Sequence, residues 1–189
     1  MQMSFREIIT ALHGMGFGAL FLLGFSGLFL QLYRISSAAE SSPVSPRENR
    51  MFRVYLITMA VLAWAAVLSG AYVVYPWYRA HPPEGVTDLT DYAQRVLLSS
   101  PTRKGWHSLG MEWKEHVAWF APIAITMVAY VFVVYGSTLA KHRQVRKAAI
   151  SFTLAAFFAA AIAGIFGAFI NKKAPVQGGT VIQFMEETK

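Results

Sequence analysis

Five histidines carry the most informative chemistry in this chain. His13 is about two turns into an apolar segment and His116 is at the first turn of another, and an ionisable side chain inside a membrane segment is a functional hypothesis by default. A flat porphyrin can be ligated from both faces by imidazole nitrogens of two different helices. We therefore interpret His13 and His116 as candidate metal ligands, the two axial ligands of a single haem b.

Glycines follow His13 at short spacing, in the stretch His13-Gly14-Met15-Gly16-Phe17-Gly18. Gly14 and Gly18 leave one side of a predicted helix without side chains, which would allow a cofactor edge to approach the backbone. The same spacing is typical of small residues at which two membrane helices pack closely. Both interpretations, space for a cofactor and helix packing, are open from the sequence.

The second ligand has two candidates, His116 and His107. They are nine residues apart, so on one helix they face opposite directions and only one of them can meet His13. Glu112 precedes His116 by one helical turn, where a carboxylate can orient an imidazole. We expect His116 to be the ligand, with His107 as the alternative.

The elements that must position these side chains are predicted from hydropathy. The chain has 189 residues, of which 55% are hydrophobic. Four long segments contain no Lys, Arg, Asp or Glu, and each has at least the ~20 residues needed to cross a bilayer as a helix. The predicted fold is an all-α integral membrane protein of one domain, a four-transmembrane-helix bundle, with spans at 8–33, 54–78, 117–140 and 148–171.

Charge distribution predicts the orientation of the four spans. The two short connections, between spans one and two and between spans three and four, are rich in Lys and Arg, which favours the cytoplasmic side. These basic residues are Arg34, Arg47, Arg50, Arg53, Lys141, Arg143, Arg146 and Lys147. The prediction is a multi-pass protein of the cell inner membrane with both termini periplasmic. Spans one and three then run in parallel, which brings His13 and His116 toward the same outer face.

The connection at 80–111 is the only sizeable predicted extramembrane piece. Thr87 or Asp88 can cap a short amphipathic helix, which Pro101 would end. Its apolar face would lie on the membrane surface or against a partner and consists of Leu89, Tyr92, Val96 and Leu97. The polar tail 172–189 is expected to extend along a neighbouring subunit.

Several classes of function are disfavoured by composition. The chain has no cysteine, which excludes disulfides, Cys-ligated iron–sulfur clusters and c-type haem attachment. The net charge of +7 is explained by helix ends, so we expect no nucleic-acid partner. The histidines are too few for a di-metal hydroxylase. A transporter or channel is disfavoured because the spans contain few ionisable residues besides His13.

Aromatic residues cluster at the predicted outer interface, including Trp77, Tyr78, Trp106 and Trp113. Such a cluster is typical of the aromatic belt at a membrane–water interface. A quinone site uses the same residue types, and that functional interpretation is retained beside the structural one.

The plan of four spans, with histidines on two of them and glycines beside one, resembles the four-helix membrane cytochrome b subunits of respiratory or photosynthetic electron-transfer complexes. The resemblance implies a non-catalytic subunit that relays electrons between a quinol or quinone and a partner redox subunit. It also implies that other membrane subunits, and a periplasmic cytochrome in some complexes, are the partners. The chain departs from many such cytochromes because its spans cannot supply four histidines for two haems.

A cofactor-free accessory or assembly subunit of a larger bioenergetic complex is the alternative hypothesis. The small-residue sequence of the fourth span, AAISFTLAAFFAAAIAGIFGAFI, and the polar tail both suit packing in a larger assembly. A visible haem spectrum distinguishes the two hypotheses.

Overall fold

The computed structural model of this protein describes residues 2–37 and 45–183. Over these ranges the chain is mainly helical, and four of its helices are long and apolar enough to cross a membrane. The predicted all-α four-helix architecture is confirmed. The predicted linker SSAAESSPVSP falls mostly outside the described residues.

The first two long helices each contain a π-helical segment, in which backbone hydrogen bonds span five residues instead of four. Helix α1 comprises three consecutive segments, Phe5–Ala11, the π-helical Leu12–Ala19, and Leu20–Ser37. Helix α2 comprises Pro46–Ser69, the π-helical Gly70–Val74, and Tyr75–Tyr78.

The remaining elements follow after a loop. A short helix, α3, spans Ala93–Leu98. Helix α4 comprises the π-helical segments Trp106–Met111 and Trp113–Val117 followed by Phe120–Tyr135. A 3₁₀ turn, Gly136–Lys141, connects α4 to the continuous helix α5, Arg143–Lys173. Strand β1, Gln2–Ser4, precedes the helices in the chain, and strand β2, Val181–Gln183, follows them.

Helices α1 and α2 begin at capping boxes, which satisfy backbone N–H groups that have no partner within the helix. The backbone N–H of Glu7 donates to Ser4 Oγ at 3.2 Å, and Ser4 N–H donates to the Glu7 carboxylate at 2.7 Å. Ser45 and Glu48 repeat this arrangement. Pro46 occupies the first turn, where its missing N–H costs nothing. Helix α2 therefore begins well before the apolar run at 54.

The four long helices are arranged around the bundle in chain order. The main contacts join α1 to α2, α2 to α4, α4 to α5, and α5 back to α1. Helices α1 and α4 consequently lie diagonally across the bundle. Large buried side chains fill the interior, among them Phe21, Leu56 and Phe132. The exterior of the bundle is also rich in exposed Leu, Val and Phe side chains. Such an apolar exterior is compatible with contact between the bundle surface and lipid hydrocarbon.

Helix α4 begins at Trp106, earlier than the predicted start at Val117. His107, Lys114 and His116 therefore lie on one helical rod instead of in a loop and at a helix start. The apolar part of α4 ends at Tyr135, where Gly136 takes a positive φ of 50° that disfavours a side chain. The predicted loop 80–111 is accordingly shortened to the residues between Tyr78 and Trp106.

The predicted amphipathic helix in this loop is present as α3, but it begins at Ala93 and not near Thr87. Asp88 instead accepts hydrogen bonds from the backbone N–H and the hydroxyl of Thr90, which makes a local turn. Leu97 is completely buried, in a second hydrophobic cluster with Tyr78, Met111 and Ile170. Of the predicted apolar face, Leu97 therefore packs inside the described part of its own chain, while Leu89, Tyr92 and Val96 are only partly buried.

The first and last described segments of the chain meet at one end of the bundle. Strands β1 and β2 pair antiparallel, with Met3 opposite Ile182. The Arg6 guanidinium donates to the carbonyl oxygen of Gln177 at 3.3 Å. Through residue 183 the tail packs on the start of its own chain instead of extending away from it, so residues 2 and 183 lie at the same end of the bundle.

Candidate functional site

The π-helical segments coincide with the residues singled out from the sequence. His13 lies in Leu12–Ala19, His107 in Trp106–Met111, and His116 in Trp113–Val117. The remaining segment, Gly70–Val74, begins at the residue against which His13 packs. π-Helical turns are rare and occur frequently at functional sites, because an extra residue per turn re-aims the neighbouring side chains. All four belong to the half of the bundle near the chain ends.

The His13 ring is held between α1 and α2. Its Nδ1 atom lies 3.0 Å from Ser69 Oγ, and the Ser69 hydroxyl donates its only hydrogen to the carbonyl oxygen of Ala66 at 3.2 Å. His13 Nδ1–H is then the donor to Ser69, so the lone pair of the neutral ring is on Nε2. This is the tautomer in which a histidine binds a metal through Nε2 while its other nitrogen is anchored.

Gly70 provides the space for this ring. A Cβ atom added at Gly70 would lie 2.7 Å from His13 Cε1, a distance that real contacts essentially never show. The ring and the α2 backbone are therefore in direct contact, and any side chain at residue 70 would displace the imidazole.

His116 has a comparable anchor but a different environment. Its Nδ1 lies 3.0 Å from the backbone carbonyl oxygen of Glu112 and 3.4 Å from the Glu112 carboxylate. A carbonyl oxygen only accepts, so His116 Nδ1 carries the proton and Nε2 is again the free lone pair. The predicted orientation of His116 by Glu112 is present. The side chain is 70% exposed, however, and lies on the surface of the bundle.

His107, the alternative second ligand, is half-buried at the start of α4. Its Nδ1 lies 2.7 Å from the hydroxyl oxygen of Tyr78, and the two rings are roughly stacked with centroids 6.0 Å apart. Because a phenol can donate or accept, this contact does not define the tautomer. The ring of His107 is thereby fixed to the end of α2.

The two remaining histidines lie outside this region, as the sequence indicated. His81 is exposed and contacts the Arg95 guanidinium. His142 is exposed at the opposite end of the bundle, immediately before α5. The centroid of its ring lies 4.8 Å from the centroid of the Tyr135 ring.

Lys114 is the residue of α4 that the structure brings into electrostatic contact with His13. Its Nζ also approaches α5, where a Cβ added at Gly167 would lie 3.0 Å from it. Among the ion pairs of the described ranges, none includes Lys114. From the sequence, Lys114 is a charge at a helix end that could also meet a haem propionate or an acidic partner. Its inward position depends on the rotation of α4, which hydropathy does not reveal.

Glu115 extends the polar region toward α2, where it interacts electrostatically with Tyr75, Tyr78 and Arg79. The Arg79 guanidinium donates to the Tyr75 hydroxyl at 2.6 Å and lies 5.5 Å from the centroid of that ring. The hydrogen bond that Arg79 donates to Tyr75 raises the pKa of Arg79, so this residue remains a cation at the bundle end. Acid, base and phenol groups thus surround the end of α2.

The glycines after His13 do not form a helix contact within the chain. A Cβ at Gly14 would meet no atom within 4 Å, and one at Gly18 would meet only the His13 carbonyl oxygen at 3.5 Å. Gly24 and Gly27 are instead the close-packed positions of α1, where added Cβ atoms would contact Tyr55. The open side at Gly14 is consistent with either a cofactor edge or a neighbouring helix.

Each ring on its own suits the chemistry of a haem ligand, since His13 and His116 both have an anchored Nδ1 and a free Nε2. The rings lie in different environments, however: His13 faces the inside of the bundle and His116 its surface. Within the described ranges no group of three or more His, Asp or Glu side chains forms a metal site. The two side chains are of the type that a bis-histidine haem needs, but in the described structure His13 packs against α2 and His116 lies on the bundle surface.

Comparison with known proteins adds no assignment, because no family model, no curated protein and no solved structure matches the chain.

Proposed function

We propose that this protein is an inner-membrane electron-transfer subunit that binds one haem b through His13 and His116. The observation that carries the proposal is the pair of anchored Nδ1–H groups, which leaves an Nε2 lone pair on each ring. When bound, the haem would supply one-electron redox chemistry. The four apolar helices would hold it within the bilayer, with the chain ends on the periplasmic side.

The chain's own residues have distinct roles in this proposal. Ser69 fixes the tautomer and the plane of the His13 ring, and Gly70 leaves the ring its space. Glu112 fixes the tautomer and the orientation of the His116 ring through its carbonyl oxygen and its carboxylate. Lys114 places a positive charge beside His13, where it would neutralise an anionic group such as a propionate.

The π-helical segment Trp113–Val117 offers a physical route to convergence. Conversion of a π turn to an α turn changes the hydrogen-bond register by one residue, which turns the following side chains by about 100°. Such a change would move His116 around α4 without unfolding the helix. His107 is the alternative ligand, and it is already half-buried beside Tyr78.

The test is a dithionite-reduced minus oxidised visible spectrum of purified protein with haem quantified per chain. We expect a b-type α-band in the wild type, and loss of haem in His13→Ala and in His116→Ala. His81→Ala and His142→Ala are matched controls, since both remove an exposed histidine, and they should retain haem. Haem at full stoichiometry in His13→Ala would refute the ligand assignment. Loss in His107→Ala but not in His116→Ala would identify His107 as the second ligand.

A cofactor-free accessory subunit is the second candidate, and the exposed surface of α1 favours it. Only 6% of the most apolar 18-residue stretch of α1 is buried within the chain, and Met15 beside Gly14 is 74% exposed. A flat spectrum after haem supplementation, together with co-purification of a membrane partner that Gly14→Leu abolishes, would support this candidate.

The proposed relay needs electron donors and acceptors outside this chain. The end of α2, with Tyr75, Tyr78 and Arg79 near Glu115, has the phenol, cation and carboxylate groups that suit a quinone headgroup or a periplasmic cytochrome. Reduction of the haem by a quinol analogue, and its slowing in Tyr75→Phe, is the measurement that favours the quinone.

A further inference from the structure

An open apolar groove follows the surface between α4 and α5, in the half of the bundle opposite the chain ends. Its wider part has a volume of about 370 Å³ and is lined by Phe120, Ala148, Ser151, Phe152 and Ala155. A narrower part of about 160 Å³ shares Ala148 and Phe152 and continues to Val131 and Val145. Small residues on α5 create the groove, and a larger side chain there would fill it.

The length of the groove matches one leaflet of a bilayer. From Val145 to Ala155 is ten residues, or about 15 Å at the rise of an α-helix. The hydrocarbon of a bilayer is ~30 Å thick, so each leaflet contributes about 15 Å. The groove therefore extends from the end of α5 to the middle of the membrane, which is the depth that an acyl chain occupies.

The end of the groove near Val145 is strongly basic. Lys141, Arg143 and Lys147 are exposed around the start of α5, and Lys147 precedes Ser151 by one turn on the same side of the helix. The chain contains no Asp or Glu between Glu115 and Glu186, so no carboxylate of α5 or of the preceding turn neutralises these cations.

The first turn of α5 adds to this positive potential. Its N-terminal residue His142 makes no side-chain cap, and unpaired N–H groups at a helix start favour an anion. The Arg146 guanidinium is already engaged by the carbonyl oxygen of Ala140, which fixes the turn in place. Cations at the headgroup level above an apolar groove are complementary to an anionic phospholipid.

We propose that the groove between α4 and α5 holds one acyl chain of an anionic phospholipid whose phosphate is bound by Arg143 and Lys147. The occupant is a lipid of the leaflet at the basic end of the bundle. The site is independent of haem, because it lies at the opposite end from His13 and shares no residue with the proposed haem site.

The experiment is native mass spectrometry of the full chain in nanodiscs of equimolar phosphatidylglycerol and phosphatidylcholine, with the retained lipids counted per protein. We expect wild type to retain phosphatidylglycerol in preference. The double variant Arg143→Gln/Lys147→Gln should lose that preference by about 25-fold, since each basic residue near an anionic surface contributes a factor of about five. The matched control Lys172→Gln/Lys173→Gln removes two charges at the other end of α5. This variant should retain the preference for phosphatidylglycerol.

A second pair of variants tests the groove itself. Ala148→Leu/Ala155→Leu fills it with side chains at exposed positions, so the fold is retained while binding of both lipids falls. Val61→Leu, which enlarges an exposed side chain on α2, should have no effect. Equal retention of the two lipids by wild type, equal loss in the Lys172→Gln/Lys173→Gln control, or unchanged binding after the groove is filled would overturn the proposal.

Discussion

His13 on α1 and Ser69 on α2 are joined by a hydrogen bond of 3.0 Å between Nδ1 and Oγ. The bond links two neighbouring helices beside the π-helical segments of both, and it defines which imidazole nitrogen is free. Because Ser69 is also bonded to the Ala66 carbonyl oxygen, the acceptor for His13 is fixed relative to the α2 backbone. The position of the ring is therefore determined by two helices and not by α1 alone.

Removal of this bond should weaken the bundle modestly and cofactor binding more strongly. In Ser69→Ala we expect a loss of about 0.6 kcal/mol in the free energy of unfolding, a typical value for a hydrogen bond between membrane helices. Haem affinity should fall by 10-fold or more, because the ligand orientation is lost. Thermal unfolding in detergent and haem titration measure the two effects. Ser26→Ala, which removes an exposed hydroxyl bonded within its own helix, is the control and should change neither.

Two glycine substitutions should behave in opposite ways. In Gly70→Ala the new Cβ would collide with the His13 ring, so we expect a loss of stability of about 1–3 kcal/mol, the range for overpacking. In Gly14→Ala the new methyl meets open space, so the isolated chain should be as stable as wild type or up to ~1 kcal/mol more stable. Chemical denaturation of both variants in detergent tests the contrast. A tolerated Gly70→Ala would contradict the position of His13.

Lys114 should lower the stability of the haem-free protein. An ammonium without a carboxylate partner among the described residues is unfavourable within an apolar bundle. We expect Lys114→Met to stabilise the haem-free chain by about 1 kcal/mol, less than the ~3 kcal/mol for a charge at the bilayer centre. The same variant should bind haem, an anionic ligand, more weakly. Melting temperatures with and without haem separate the two effects, and Lys104→Met, at an exposed position, is the control.

The loop before α3 should respond to acid at a defined residue. Hydrogen bonds from the hydroxyl and backbone N–H of Thr90 hold the pKa of Asp88 below its ordinary value of 3.8. A depressed pKa means that the turn is stabilised above pH 3.8 and that this stabilisation is lost as the pH falls through the folded pKa. The protection of the Thr90 amide, measured relative to its intrinsic exchange rate, should therefore decrease below about pH 3.8 in wild type. In Asp88→Asn the exchange should lose this dependence on Asp88 ionisation, and an unchanged acid profile would exclude Asp88 as the cause.

The four apolar helices and their order were determined by the sequence alone. A run of about 20 residues without charge is a local property, and backbone groups in such a run must pair within it. The position of the first and last described segments at one end of the bundle also follows from an even number of spans. The sequence likewise singled out His13, which interrupts an apolar run, and His116, which lies at the start of another.

The neighbours of each functional side chain were decided by tertiary structure. Hydropathy marks where a helix is apolar but not how far it is rotated, and the π-helical segments change that rotation in α1, α2 and α4. Lys114 therefore faces His13 while His116, two residues later, lies on the surface. The start of α4 at Trp106 and the burial of Leu97 likewise depend on packing between distant segments. Residues that are separated in sequence meet only when helices pack, so the sequence identified the candidate ligand residues and the fold assigned their neighbours.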